Sequence, residues 1–345
     1  MTKHNVLVTV PSFAPIFDRL KVHPGVSLRV EHEPSSGVRG GNVGDWPIDW
    51  LRDADILFCS GVAPHNFDAM AKVRWVQLAS AGYEQYIGLG LPGRGIRASN
   101  ALGTFDIPIG EWCMAMMVNL ARDMRGMIRN QDRAIWDRAE RFQREIRGAT
   151  VGFWGYGGLA RETARLAKAM GMIVHVLSRS GIKERGDKYV VPGSGDPQGK
   201  LPDRVFTPDQ RFEFLKGLDF LVMAMPLTPA SRGIVGEAEL RALPPHACLL
   251  NPARGALIAE HALLQALREK WISAAALDTH YHYPLPPDHP LWSLSNVILT
   301  PHISGSGDTQ TFPARVWDIF AQNLVRFQAG KPLLNELSAA QLRGE

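Results

Sequence analysis

Three polar side chains of catalytic types stand directly after apolar, strand-like runs of the chain. Arg254 lies in Asn-Pro-Ala-Arg-Gly, Asp278 closes Ala-Leu-Asp, and His302 lies in Thr-Pro-His. A guanidinium can bind a carboxylate through two parallel hydrogen bonds, and an imidazole can exchange a proton at neutral pH. Because ligands of open α/β sheets bind at the carboxyl ends of strands, the pattern predicts a site for proton transfer on a small carboxylate.

A glycine-rich turn lies between the apolar run 151–154 and a helical pattern that extends to Met170. Gly155 and Gly157 allow a tight turn and a close approach of the backbone to a diphosphate, and Ala160 stands where a third small residue is expected. Free N–H groups at the helix start favour an anion. The turn therefore predicts dinucleotide binding, although a plain strand-to-helix turn is the alternative. The ligands expected here are Gly155, Tyr156, Gly157, Gly158 and Leu159, and the apolar stripe of the helix is expected at Leu159, Thr163, Leu166, Ala167 and Met170.

The end of the next apolar run, 173–177, indicates which dinucleotide is bound. An NAD site expects an acidic residue about 20 residues past the glycines, whereas this chain has Ser178, Arg179 and Ser180. A cation with two hydroxyls suits a 2′-phosphate, so we expect NADP(H) to be preferred, with NAD(H) possible. The alternative for Arg179 is a solvated surface arginine.

The composition is that of a globular protein, with 45% hydrophobic and 21% charged residues, and the length of 345 residues predicts two domains. The net charge of +4 is dispersed, without the basic clusters that nucleic-acid binding needs. Three cysteines in apolar surroundings favour buried thiols in a reducing compartment. Without a signal-peptide pattern or an apolar run of about 18 residues, we expect a cytoplasmic protein that no membrane span anchors.

The alternation of apolar runs with helical patterns predicts an α/β fold with two Rossmann-like domains: a doubly wound parallel sheet for the cofactor and a smaller flavodoxin-like substrate domain. The expected strands are 6–10, 26–30, 56–59, 76–78, 151–154, 173–177, 220–225, 247–250, 274–277 and 297–299. The expected helices include 107–127, one ending at Gly217, and 313–329; 37–44 is expected to be a loop and 181–206 a Pro/Gly-rich insertion. The expected domains are 1–103 for substrate, 104–298 for NAD(P), and 299–345 as a segment returning to the first, with hinges at 100–105 and 297–303 and an active site in the cleft.

Taken together, the motifs resemble the D-isomer-specific 2-hydroxyacid dehydrogenase family over about residues 76–327. The motifs that carry the resemblance are Gly155-Tyr156-Gly157, Pro226-Leu227-Thr228-Pro229, Asn251-Pro252-Ala253-Arg254-Gly255, Leu277-Asp278, His289-Pro290-Leu291-Trp292 and Thr300-Pro301-His302. The resemblance implies that Arg254 binds the substrate carboxylate and carbonyl oxygen and that His302 is the acid/base. It implies substrate contacts from Ser80, Ala81, Gly82 and Asn100, and further cofactor contacts from Pro226, Thr228, Ala253, Asp278 and Gly305. For Asp278 we expect a bond from the nicotinamide amide. The resemblance also implies a homodimer joined through residues 107–127 and the Trp136 segment.

One position departs from the family pattern. The family places a glutamate, the partner of the catalytic histidine, where this chain has Tyr283. A carboxylate would raise the pKa of His302, and a neutral phenol cannot do so by charge, although its hydroxyl can still orient the ring. Two alternatives remain: His302 is structural in an inactive relative, or His280 and His282 form a metal site with it. We expect no metal.

The sequence thus predicts an NADP(H)-dependent oxidoreductase that transfers a hydride between nicotinamide and C2 of a 2-ketoacid or 2-hydroxyacid, D-specific by resemblance. The alternatives are a dehydrogenase for a formate-like or phosphonate-like substrate and a non-catalytic nucleotide sensor. The presence of both Arg254 and His302 argues against the sensor.

Overall fold

The structure is a computed structural model that describes residues 3–32, 44–139, 143–305 and 311–344. The chain divides into two compact units: Met1–Phe105, Asp187–Val191 and Asp308–Glu345 form the first, and Asp106–Gly186 and Pro192–Gly307 form the second. The insertion 181–206 therefore contributes to both units. Apart from Gly44, the loop predicted at 37–44 lies outside the described residues.

The helices and strands are bounded as follows. The strands are β1 (His4–Val8), β2 (Val26–Val30), β3 (Ile56–Cys59), β4 (Trp75–Leu78), β5 (Arg97–Ser99), β6 (Thr150–Trp154), β7 (Ile173–Leu177), β8 (Arg204–Phe206), β9 (Phe220–Met223), β10 (Cys248–Asn251), β11 (Ala274–Leu277) and β12 (Val297–Leu299). The α-helices are α1 (Ala14–Lys21), α2 (Ile48–Leu51), α3 (Asp106–Ala121), α4 (Met124–Asp132), α5 (Gly158–Ala169), α6 (Arg211–Lys216), α7 (Glu237–Ala242), α8 (Glu260–Arg268), α9 (Thr311–Gln328) and α10 (Ala339–Arg343).

In the first unit the described strands form a parallel sheet in the order β2-β1-β3-β4-β5. This is the flavodoxin-like order 2-1-3-4-5, as predicted. Both β3 and β4 are buried along their whole length, and α9 packs Trp317 and Phe320 against Phe58. The order places the carboxyl ends of β3, β4 and β5 side by side, so the turns after them meet at one edge.

In the second unit the described strands form a parallel sheet in the order β12-β11-β10-β9-β6-β7-β8. Numbered within the unit, the sheet reads 3-2-1-4-5-6-7 from β8, the Rossmann order with one extra strand, which confirms the predicted doubly wound fold. The strand order reverses between β6 and β9, and ligands of such sheets bind beyond the strand ends at that point.

Two helix predictions are wrong in detail. The single helix expected at 107–127 is interrupted, because Asp123 adopts a left-handed backbone with φ of 45° and caps α4 by accepting a hydrogen bond from the Gly126 N–H at 3.2 Å. Helix α5 faces the sheet with the fully buried Ala160, Ala164 and Ala167, whereas Met170 is 44% exposed. Small side chains let this helix lie close to the sheet, so the larger residues of the expected stripe lie at its flanks.

The insertion contains a strand that the sequence does not predict. Strand β8 extends the sheet beside β7, with His175 opposite Arg204 and Leu177 opposite Phe206. All three cysteines of the chain are buried thiols that form no disulfide, as expected. Burial raises the pKa of the Cys113 thiol to about 12, so this thiol is inert at neutral pH. Within the described ranges, no helix combines the length and the apolar character needed to cross a bilayer.

Candidate active site

The glycine turn leads from β6 into α5 at the point where the strand order reverses. Gly155 has φ of 95°, and a Cβ atom there would lie 2.6 Å from the Ala224 carbonyl oxygen. Only glycine fits this backbone and this close approach. Gly157 caps α5 with an extended backbone, and Ala160 is fully buried. The first-turn N–H groups of α5 are therefore presented at the strand edge, the arrangement that binds a diphosphate.

The end of β7 lies next to this turn. The Gly155 N–H donates to the Leu177 carbonyl at 2.9 Å, and β6 pairs with β7 in parallel register up to Trp154 and Leu177. The Ser178 hydroxyl donates to the Gly181 carbonyl at 2.8 Å, whereas Arg179 and Ser180 are exposed. The structure thus brings the three predicted ribose-side residues to the edge of the sheet that carries the glycine turn.

The turn after β9 borders the glycine turn on the other side. The Thr228 N–H donates to the Ser231 hydroxyl at 2.7 Å, and that hydroxyl donates to the Pro226 carbonyl at 2.9 Å. Ser231 is buried and closes the turn, which positions Pro226 and Thr228 beyond the strand end. Ser231 is missing from the predicted site, although a hydroxyl three residues after the threonine is typical of a side-chain-closed turn.

Arg254 leaves the sheet after β10 in an extended conformation. Its Nη1 donates to the Ala253 carbonyl at 2.8 Å, and the Asn251 side-chain amide donates to the Arg254 carbonyl at 2.8 Å. A Cβ atom on Gly255 would lie 2.5 Å from the His280 carbonyl carbon, so glycine is required for the two loops to pack together. Buried Asn251, which the sequence analysis does not assign a role, holds the backbone of the arginine loop.

Asp278 anchors the loop that carries His302. Its carboxylate is fully buried and accepts hydrogen bonds from the Thr300 hydroxyl at 2.5 Å, the Ile303 N–H at 2.9 Å and the Ser304 N–H at 3.0 Å, with the Ser304 hydroxyl as a fourth donor. His302 adopts φ of 57°, an uncommon backbone that this surrounding network holds. Thr300 and Ser304, for which the sequence predicts no role, flank the histidine at two residues on either side.

Tyr283 lies against His302, with ring centroids 5.6 Å apart and planes tilted by 54°. Burial raises the pKa of the Tyr283 phenol, with the His280 N–H and then Arg254 lowering it and Asp278 raising it. The phenol is therefore neutral at physiological pH. The ring contact, the hydrogen bonds from the His302 loop to Asp278 and the packing of Gly255 against His280 bring the loops of Arg254, Asp278, Tyr283 and His302 together in the second unit.

The neighbouring histidines have structural partners. The His280 Nε2–H donates to the Thr300 carbonyl at 2.8 Å, and the His282 ring lies 6.3 Å from that of His289. The part of the chain that the structure describes contains no group of three or more His, Cys, Asp or Glu residues arranged to hold a metal ion.

The predicted substrate loop of the first unit lies after β4. The Ser80 hydroxyl donates to the Gly82 carbonyl at 2.7 Å, and the Asn100 side-chain amide donates to the Ala81 carbonyl at 2.8 Å. Asn100 is fully buried after β5, and Gly61, after β3, has φ of 112° with the Ser80 hydroxyl against it. The structure therefore brings Ser80, Ala81, Gly82 and Asn100 together at the carboxyl edge of this sheet.

The second unit combines a Rossmann sheet, a turn that only glycine can form, and an arginine and a histidine beyond the strands β10 and β12 on either side of β11. Together these features define a dinucleotide-dependent oxidoreductase. The backbone cradle at Gly155 and Gly157 fits a diphosphate, and the pair fits a carboxylate-bearing substrate that exchanges a proton. Gly305, also predicted to contact the cofactor, is half-buried at the end of the same loop.

Comparison with known proteins identifies the family. The model for the NAD-binding domain of D-isomer specific 2-hydroxyacid dehydrogenases matches residues 114–304. A glyoxylate reductase of Korarchaeum cryptofilum is 29% identical over 296 residues, covering 82% of each chain. A glyoxylate reductase of Aeropyrum pernix is 37% identical over 187 residues, covering 54% of this chain and 51% of that protein.

Solved structures agree on the fold. The NADPH-dependent glyoxylate/hydroxypyruvate reductase of Sinorhizobium meliloti, crystallised with NADP and sulfate, has a TM-score of 0.74 at 24% identity, covering 99% of this chain and 100% of that one. The chain belongs to the D-isomer specific 2-hydroxyacid dehydrogenase family and is an NAD(P)-dependent oxidoreductase. The predicted family, fold class and reaction class are confirmed.

Proposed function

We propose that this protein reduces a small 2-ketoacid to the D-2-hydroxyacid and prefers NADPH. The observation that carries the proposal is the cluster of Arg254, Tyr283 and His302 at the carboxyl edge of the same sheet that holds the glycine turn. When bound, the nicotinamide supplies the hydride that reduces C2 of the ketoacid. The residues of the chain bind the substrate and handle the charge and proton on its oxygen.

Arg254 binds the substrate carboxylate and the carbonyl oxygen. Its guanidinium carries five N–H donors in a planar fork, which matches the two oxygens of a carboxylate. As the carbonyl carbon accepts the hydride, negative charge develops on the oxygen. A cation fixed beside that oxygen stabilises the charge without having to reorganise.

His302 donates the proton to that oxygen during reduction and accepts it during oxidation. The four hydrogen bonds to Asp278 fix the loop around the imidazole, so Asp278 acts as a positioning residue. The sequence predicts that the Asp278 carboxylate accepts a hydrogen bond from the nicotinamide amide. Since that carboxylate already accepts four hydrogen bonds from the His302 loop, we propose the anchoring role for it instead. Tyr283 orients the imidazole by ring contact and supplies no charge.

In the first unit, we assign the backbone N–H groups of Ser80, Ala81 and Gly82 to the substrate carboxylate. The support is the ordered geometry of the loop, in which the Asn100 side-chain amide donates to the Ala81 carbonyl and the Ser80 hydroxyl donates to the Gly82 carbonyl. Asn100 then acts by positioning the loop.

Arg179 is proposed to bind the 2′-phosphate of the cofactor. It is exposed at the end of β7 beside two serines, and among the described residues its side chain has no hydrogen-bond or ion-pair partner. The NADPH-dependent glyoxylate/hydroxypyruvate reductase of Sinorhizobium meliloti, which shares the fold, was solved in complex with NADP. We also propose that the cofactor turn is completed by Pro226, Thr228 and Ala253, which lie beyond the neighbouring strands β9 and β10.

The assembly is proposed to be a homodimer formed through α4 and the segment that follows it. This surface exposes four large apolar side chains: Met124, Ile128, Ile135 and Trp136, the last of them 90% exposed. An apolar patch of this kind marks an interaction surface. Three buried thiols support a reducing compartment such as the cytoplasm.

The test is a panel of 2-ketoacids assayed with both cofactors. Oxidation of NADPH is followed with glyoxylate, hydroxypyruvate, phenylpyruvate and 2-ketoisocaproate, and repeated with NADH. Turnover of at least one ketoacid with a higher kcat/KM for NADPH supports the proposal. Cofactor binding without turnover of any ketoacid would favour the nucleotide-sensor alternative, which Arg254 and His302 argue against.

A further inference from the structure

The first residue of α5 has no side chain, and a carboxylate from another helix takes its place. Gly158 is the first residue of the helix, and a Cβ atom there would lie 1.8 Å from Oδ2 of Asp106. The space that a side chain at 158 would fill is thus taken by a carboxylate. An anion at this helix end competes with a diphosphate for the same N–H groups unless a cation accompanies it.

That cation is Arg185, which the insertion 181–206 provides. Its Nη1 lies 3.4 Å from Asp106 Oδ2, and the two side chains are only 12% and 15% exposed. The same Asp106 oxygen is 1.8 Å from the Cβ position of Gly158 and 3.4 Å from Arg185 Nη1. The guanidinium nitrogen therefore lies no more than 5.2 Å from the first residue of α5, measured at that Cβ position. A diphosphate that accepts N–H bonds at a helix start comes within reach of it.

The insertion is fixed to the glycine turn and to α5 on both sides of Arg185. The buried Arg161 guanidinium donates to the Tyr156 carbonyl at 3.2 Å, to the Lys183 carbonyl at 2.5 Å and to the Asp196 carbonyl. The Arg185 N–H donates to the Pro197 carbonyl at 3.0 Å. Because its backbone is held on both sides, Arg185 loses little conformational entropy when it binds a ligand.

The carboxylate of Asp196 completes this attachment. It accepts the Tyr156 hydroxyl at 2.8 Å, the Lys200 N–H at 2.9 Å and the Leu201 N–H at 3.0 Å. Burial would raise the pKa of Asp196, but these donors and the neighbouring Arg161 lower it. The anchored insertion therefore carries a permanent negative charge at Asp196, matched by Arg161.

The two arginines differ in how many of their donors are free for a ligand. The Arg161 guanidinium donates to backbone carbonyl groups. The Arg185 side chain has a single hydrogen-bond partner, Asp106, among the described residues. The remaining N–H groups of Arg185 can donate hydrogen bonds to a diphosphate. Asp106 aims the guanidinium at the helix start, as a carboxylate commonly orients an arginine.

We propose that Arg185 binds the cofactor diphosphate, and that the insertion serves to bring this arginine to the glycine turn. The inference rests on the proposed cofactor site at Gly155 and Gly157. It assigns Arg185 to the diphosphate shared by NADH and NADPH, whereas Arg179 is assigned to the 2′-phosphate that only NADPH carries.

The test measures binding by titration calorimetry for Arg185→Gln, with Lys183→Gln as control. Lys183 is exposed two residues away, and its side chain has no hydrogen-bond or ion-pair partner in the described ranges, so the control removes one positive charge from the same segment. The probes are NADPH, NADH, ADP and adenosine 2′-monophosphate. We expect R185Q to weaken NADPH, NADH and ADP about tenfold each, the loss of one charge-assisted contact, and to leave adenosine 2′-monophosphate unchanged. K183Q is expected to bind all four like the wild type.

Unchanged ADP and NADH affinity in R185Q would overturn the inference while leaving the glycine-turn site intact, whereas a wild type that binds neither dinucleotide would overturn the proposed function. A second variant, R185K, shows whether the loss in R185Q comes from misfolding. Lysine keeps the positive charge but lacks the planar guanidinium, so the ADP affinity of R185K is expected to lie between those of the wild type and R185Q. Equal loss for adenosine 2′-monophosphate and ADP in either variant would indicate general damage to the domain and contradict a specific diphosphate contact. Melting curves accompany each variant.

Discussion

Replacing Tyr283 by glutamate places a carboxylate beside the His302 imidazole. With the tyrosine ring centroid 5.6 Å from that of the histidine, a full charge at the same separation interacts with an imidazolium by about 3 kcal/mol at an effective dielectric of 20 and by about 0.7 kcal/mol at 80. Position 283 is 48% exposed, so solvent screening favours the lower half of this range. An interaction of ~1.4 kcal/mol corresponds to one pH unit.

The sign follows from the charge of the acid form. A carboxylate favours the protonated imidazole and raises its pKa, and the protonated form is the one that donates during ketoacid reduction. In the wild type the phenol is neutral and brings no negative charge to the imidazole, because burial raises the pKa of Tyr283 above its usual range. We therefore expect reductive kcat/KM to fall with rising pH on the acid side of neutrality, and Tyr283→Glu to move that fall upward by about one unit.

The assay measures kcat/KM for NADPH oxidation at each pH, with ketoacid concentrations that extend from below KM to saturation. Tyr283→Gln is the matched control, with the size of glutamate and no charge, and Tyr283→Phe tests whether the hydroxyl orients the ring. The profile is repeated with NADPH deuterated at C4 of the nicotinamide. A kinetic isotope effect shows in which pH range hydride transfer, rather than a conformational step, limits the rate. Identical profiles for Y283E and Y283Q, or a flat wild-type profile through pH 8, would show that position 283 is not the partner of His302.

Four further perturbations test separate parts of the site. Arg179→Asp should shift preference from NADPH toward NADH by about thirtyfold, since a bidentate arginine–phosphate contact is worth about 2 kcal/mol; higher wild-type efficiency with NADH would contradict this. Arg254→Lys keeps the charge but loses the planar fork, so kcat should fall far more than cofactor affinity; intact ketoacid kinetics would mean that the carboxylate docks elsewhere. Asp278→Asn exchanges an acceptor oxygen for a donor facing the His302 loop, so kcat should fall at least about tenfold with ADP affinity unchanged, and the reverse pattern would indicate a cofactor ligand. Trp136→Ser combined with Ile135→Ser should convert a dimer into a monomer in light scattering at micromolar concentration; a monomeric wild type would refute the proposed interface.

The sequence predicts best where one local rule decides the structure. Strands β2, β3, β7, β11 and β12 have the predicted bounds, because buried apolar runs that end at polar or glycine residues leave few alternatives. The glycine turn was predictable for the same reason: Gly155 needs both a positive φ and room for a neighbouring carbonyl. The family motifs then gave the order of the strand ends, which fixes where Arg254 and His302 lie in the second unit.

The errors arise where one residue leaves the regular backbone or where distant contacts decide. Asp123 ends α3 through a left-handed backbone that periodicity cannot reveal. The four donors on Asp278 come from a loop more than twenty residues away in the chain, and Arg185 meets Asp106 across 79 residues. Strand β8 is too short, and too close to prolines and glycines, to stand out from the insertion that contains it.

The central claim is that this chain transfers a hydride to C2 of a 2-ketoacid while His302 provides the proton. The most direct test is a single-turnover reaction of the wild type and His302→Gln with NADPH deuterated at C4 of the nicotinamide and glyoxylate or hydroxypyruvate as acceptor, analysed by mass spectrometry. The account predicts one deuterium at C2 of the hydroxyacid in the wild type, of D configuration when hydroxypyruvate is used, and a reduction at least about a hundredfold slower in the variant with cofactor affinity retained. Bound NADPH that transfers no deuterium to any ketoacid, or a variant as fast as the wild type, would contradict it.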